Sequence, residues 1–176
     1  MWEALNNSRL VSSLIVVDVS PGRGFTGGVD SVGLFLDRMV QIGRNWPSKQ
    51  EVPMNKIRPW LDEQLRDTVP DSTRPFVMTN LSRKGEEYSW KCNVEALSRD
   101  IANLRHFPET DNVYQKETLF IGGVDSPYIT ADRHAEIMRL FPLADIEMVE
   151  NCGHWVHADQ PEIFVELCSD FLLTQP

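Results

Sequence analysis

The spacing of apolar side chains changes period along this chain, and each change marks an element. Trp2 to Leu10 reads as the last turns of a helix. Leu14-Ile15-Val16-Val17-Asp18-Val19 is a continuous β-branched run closed by Ser20-Pro21-Gly22. Such a run fits a strand buried on both faces of a parallel sheet. From Asp30 to about Phe107 the period becomes helical. Leu34, Leu36, Met39, Val40 and Ile42 predict one helix begun at Asp30 or Ser31; Trp60, Leu61, Leu65 and Val69 predict another; Arg74 to Leu81 predicts a third. Lys84-Gly85-Glu86 predicts a turn between two short extended pieces, with Tyr88 and Trp90 alternating on the second. Val94, Leu97, Ile101 and Leu104 predict a helix begun by Asn93. Pro47, Pro53, Pro59, Pro70 and Pro75 keep these helices short. The strand pattern then returns at Thr118–Ile121 and Asp145–Val149, separated by a helix over Ala131–Phe141. Ile163, Phe164, Leu167, Phe171 and Leu172 predict a closing helix.

Strands alternating with helices imply parallel βαβ units and a doubly wound α/β sheet. Ligands of such sheets sit beyond the carboxyl ends of the strands. Asp18, Asp125 and His154 all lie just past predicted strand ends, and Gly153 lets the backbone turn sharply before His154. The alternative for Asp125 is an Asx-turn ahead of Pro127, and for Asp18 a loop cap. His157 and Asp159 complete a His-x-x-His-x-Asp string, but no further histidine or cysteine stands nearby, so no metal is expected. The glycine-rich loop up to Gly28 lacks Gly-Lys-Ser/Thr and predicts a mobile loop, not a phosphate cradle. No cofactor is expected.

With 176 residues, 41% of them hydrophobic, the chain can bury a core. Its net charge of −9 and the lack of a basic patch argue against nucleic acid as a partner. Cys92, Cys152 and Cys168 have no metal spacing and suggest a reducing compartment. No run approaches the length of a membrane span, and no signal peptide or basic presequence is evident. The opening Met1-Trp2-Glu3-Ala4-Leu5 resembles the middle of a helix, without a capping residue, so the chain is expected to begin inside a larger fold.

Gly122-x-x-Asp125 after one strand and Gly153-His154 after the next resemble the acid and base loops of the α/β-hydrolase family. Leu14–Pro21, Glu136–Pro142 and Gly153–Pro161 are similar to the branch that holds the α/β-hydrolase domain-containing protein 11 group and the YbfF-type esterases. The resemblance implies the C-terminal part of a doubly wound α/β-hydrolase sheet with an inserted helical lid. Its expected divisions are 1–29, the first strand and flanking loop; 30–107, the lid; and 108–176, the terminal sheet units with the histidine loop. It also implies hydrolysis of an ester or lipid acyl group. His154 would be the base, and Asp18 or Asp125 the acid; Asp18 is preferred, and Glu95 is a third candidate. The family nucleophile is the serine of Gly-x-Ser-x-Gly, and no such pentapeptide occurs here. The chain is therefore expected to be a truncated form, inactive alone, or a non-catalytic protein-binding module. Trp46, Trp60, Tyr88 and Trp90 would line an acyl pocket under a lid or form the lid's own core. The resemblance further implies a mitochondrial setting and association with the 2-oxoglutarate dehydrogenase complex.

Overall fold

The computed structural model describes residues 1–22, 29–48, 50–85, 87–104 and 107–174. Residues 23–28 of the glycine-rich loop and Glu86 of the expected turn lie outside the described residues. In chain order the elements are α1 (Trp2–Asn6), β1 (Leu14–Val17), α2 (Val29–Arg44), α3 (Ile57–Leu65), α4 (Arg74–Val77), a 3-10 turn (Met78–Asn80), β2 (Leu81–Lys84), β3 (Glu87–Trp90), α5 (Val94–Leu104), β4 (Thr118–Gly123), α6 (Ala131–Leu140), β5 (Ala144–Val149), α7 (Val156–Asp159) and α8 (Pro161–Leu173). Contacts group them into two compact units, Met1–Gly27 with His106–Pro176, and Gly28–Arg105.

The first unit is built on a parallel sheet in the order β1-β4-β5. Val17 pairs with Ile121 and Ile121 with Glu147, so all three strands end along one edge. β4 is buried at all six positions because it runs between the other two strands. Its side chains alternate between two cores, as strand geometry requires. Phe120 packs with Ala4, Leu5, Tyr114, Ile137, Leu140 and Phe141, whereas Leu119 and Ile121 pack with Val149, Cys152 and Val156. Phe164, Leu167 and Phe171 of α8, themselves partly buried, pack against the second cluster. The phenyl ring of Phe120 is fully enclosed. Phe120→Ala is therefore expected to lower the unfolding free energy by about 3–5 kcal/mol, read from urea unfolding.

Two boundaries in this unit differ from the sequence expectation. The first helix stops at Asn6 and not at Leu10, because Asn6 and Asn7 turn their side chains back onto Trp2 O and Glu3 Oε1. The ammonium of Lys116 then takes the freed carbonyls of Ser8 and Val11, each at 2.6 Å. β1 ends at Val17, one residue before the expected end in Asp18, because Asp18 adopts φ 46°, which is incompatible with a continuing strand.

In the second unit Leu36, Met39, Ile42, Leu61, Leu65, Val69, Val77 and Val94 make the core. The buried Arg74 guanidinium is satisfied by Asp62 at 2.8 Å, Asp71 at 2.6 Å and Val69 O at 3.0 Å. The expected single helix over Arg74–Leu81 is instead a short helix, a 3-10 turn and the start of a strand. Leu81 pairs with Trp90 across the β2-β3 hairpin, and this non-local pairing overrides the local helical spacing. Trp46 lies 6.2, 5.9 and 5.0 Å from the rings of Trp60, Tyr88 and Trp90. Trp46, Trp60 and Trp90 also pack against the unit's core.

Candidate active site

Asp18 follows β1 directly, and its backbone N–H donates to Ile121 O at 2.8 Å. The left-handed backbone at Asp18 turns a carboxylate inward where a strand would alternate; aspartate tolerates this conformation better than most residues. The side chain is completely buried, so its charge needs donors. Three are present. Gly123 N–H donates to Oδ1 at 3.2 Å, the Ser126 hydroxyl donates to Oδ2, and Nδ1 of His154 lies 2.7 Å from Oδ2. A charged carboxylate only accepts hydrogen bonds, so the network assigns the proton to Nδ1 and leaves the lone pair of the neutral ring on Nε2. The imidazole is about half exposed.

The ring is held on its face as well as its edge. Tyr128 stacks on it at 4.2 Å with the planes 25° apart. Tyr128 is itself tied down by its N–H donating to Ser126 Oγ and its carbonyl accepting from Ser20. Burial, and then the charge of Asp18, push the Tyr128 phenol above its ordinary pKa. The histidine loop leaves β5 through Asn151, at φ 52°, and Gly153 donates its N–H to the Asp159 carboxylate at 2.9 Å.

Asp125 does not reach the imidazole. It is exposed, and its part is a main-chain one, its N–H donating to Cys152 O at 3.0 Å. The expected Asx-turn is made by the neighbouring hydroxyl instead, Ser126 Oγ taking the N–H of Tyr128. Glu95 belongs to the second unit, where it pairs with Arg44 at the surface. His157 packs its ring near Trp155 and Phe164. Among the described residues no cluster of candidate ligands could hold a metal ion.

The sequence reading gave no role to Gly123, Ser126 and Tyr128, and weighed Asp159 only as a metal ligand. Ser126 and Tyr128 stand beside Asp125 in the same loop, and a search for carboxylates passed over them. Their contacts with Asp18 and His154 join segments that only the sheet brings together.

Cys152 is buried within the histidine loop, two residues before His154. Burial first, and then the carboxylates of Asp159, Asp18 and Asp125, push its thiol above the ordinary range. Unfolded chains release a thiol proton near about 8.5, whereas the folded chain retains this one, so stability falls as pH rises past that value. Urea midpoints measured at about pH 7 and about pH 9.5 are expected to show that fall, with a smaller fall in Cys152→Ala.

Residues 3–167 match the model of a family described as the alpha/beta hydrolase family. The sn-1-specific diacylglycerol lipase ABHD11 of Danio rerio is 37% identical over 173 residues, which is 98% of this chain and 53% of that protein. The Mus musculus protein of the same name is 36% identical, over 98% of this chain and 54% of its own length. The chain thus spans about half the length of these curated relatives. A solved marine microorganism esterase superposes with a TM-score of 0.84 at 26% identity, covering 97% of this chain and 64% of that one. Among the described residues no helix is long and apolar enough to cross a membrane.

Proposed function

The chain belongs to the alpha/beta hydrolase family, and from that premise we propose that it supplies the acid and base of a serine hydrolase acting on carboxylic esters, with lipid acyl groups as the substrate class. The observation that carries this is the buried Asp18 carboxylate 2.7 Å from Nδ1 of His154, at the edge where the sheet strands end. His154 would take the proton of a serine hydroxyl at Nε2 and return it to the leaving alcohol, while Asp18 fixes the tautomer and offsets the imidazolium charge. The names of the lipase and esterase relatives support the substrate class.

Residues 1–176 contain no Gly-x-Ser-x-Gly, so by themselves they are expected to leave acylglycerols intact and to take no label from a serine-directed fluorophosphonate. A fusion that supplies the part of the Danio rerio relative not covered by this chain should label at one serine and turn over acylglycerols. Labelling of a serine in 1–176 alone would defeat the reading. The mitochondrial setting and the 2-oxoglutarate dehydrogenase complex stay within this proposal on the family resemblance alone. Co-purification of the complex's subunits with the expressed protein tests that part.

A further inference from the structure

We infer that the Asp18–His154 pair is an acyl acceptor in its own right, cleaving activated aryl esters through Nε2 without a serine. Asp18 occupies Nδ1, and among the described residues the ring makes no other hydrogen bond, so the Nε2 lone pair is unengaged. The half-exposed ring is reachable, and Tyr128 fixes its plane. The buried carboxylate opposite Nδ1 offsets the positive charge that grows on the ring during attack. His157 packs against aromatic rings, and among the described residues the histidine hydrogen-bonded to a carboxylate is His154, on Asp18.

The chemistry limits the substrate. Nε2 attacks the ester carbonyl, the acyl–oxygen bond breaks, and the aryl oxide leaves with the electron pair. The Nδ1 proton stays in its hydrogen bond to Asp18, so the acyl-imidazolium is ion-paired with that carboxylate. Water then adds to the acyl carbon, the carbon–nitrogen bond breaks, the carboxylic acid departs and the second proton of the water passes to solvent, leaving the ring neutral. Imidazole is a better leaving group than an alkoxide, so the adduct of an alkyl ester collapses back to reactants. Aryl esters go forward and acylglycerols do not.

The test is p-nitrophenyl acetate cleavage by chain 1–176, with accessible thiols blocked beforehand by N-ethylmaleimide. His154→Ala is expected to lower the protein-dependent rate by about tenfold or more, and Asp18→Asn by a similar factor. His157→Ala should leave it unchanged, and the acyl group trapped by rapid quenching should map to His154. His154→Asn, which retains a donor toward Asp18 but lacks the nucleophilic lone pair, serves where the alanine variant loses its circular-dichroism spectrum. A rate unaffected by His154 substitution, or acyl groups found only on other side chains, overturns the inference. It rests on the dyad geometry and not on the serine reading. An acylglycerol-active fusion beside a 1–176 chain inert to aryl esters would sink this inference alone.

Discussion

In the fusion that restores the remainder of the Danio rerio relative, Asp18→Asn is expected to lower kcat by about 10⁴-fold and His154→Ala by about 10⁶-fold. KM should move little in either variant, because both groups act on charge that develops only in the transition state. Asp125→Asn is expected to leave kcat within a few-fold of the parent. The contrast follows from where each carboxylate sits. Asp18 is buried, receives Gly123 N–H and the Ser126 hydroxyl, and holds Nδ1 at 2.7 Å. Asp125 is exposed and contributes a backbone N–H, which the asparagine variant keeps. Steady-state kinetics on one acylglycerol separate the two outcomes, and a larger loss in Asp125→Asn would reverse the assignment of the acid.

The parallel sheet could be read from the sequence because its strands carry their signal locally. The run Leu14–Val17 and the apolar Thr118–Ile121 leave few alternatives to buried strands. His154 could be read because a glycine before a histidine at a strand end is itself a short local pattern. Which of Asp18 and Asp125 meets the His154 ring could not be settled by spacing, since both follow strands. It depends on φ 46° at Asp18, which turns that side chain under the histidine loop. Ser126 and Tyr128 were invisible for a similar reason, as their partners lie 108 and 26 residues away in the chain. The Arg74–Leu81 segment failed in the opposite way. Its local helical spacing is real as far as Val77, but Leu81 is claimed by Trp90 across the hairpin.

Gly123→Ala is expected to be the most damaging glycine-to-alanine change among the described residues of the sheet unit. A Cβ at this position would stand 2.2 Å from Gly153 O and 2.3 Å from Cys152 O, both of them backbone atoms. Neither can rotate away. The loop they belong to is pinned by Asp125 N–H on Cys152 O and by Gly153 N–H on the Asp159 carboxylate. Relief therefore requires the loop to retreat by about 1 Å, a displacement of the order that costs about 10² in rate when it falls on catalytic geometry. In the fusion, kcat is expected to fall by about that factor, and in chain 1–176 the overpacking should lower stability by about 1–3 kcal/mol. Gly122→Ala is the matched control, because the nearest atoms to its Cβ would be side-chain ones, the Met148 thioether at 2.9 Å and Ile129 Cβ at 3.2 Å. A methionine tip can move aside, so the loop and His154 should stay in place. If Gly122→Ala proved the more costly of the two in kcat, backbone approach at Gly123 would not be what sets the distance between the histidine loop and Asp18.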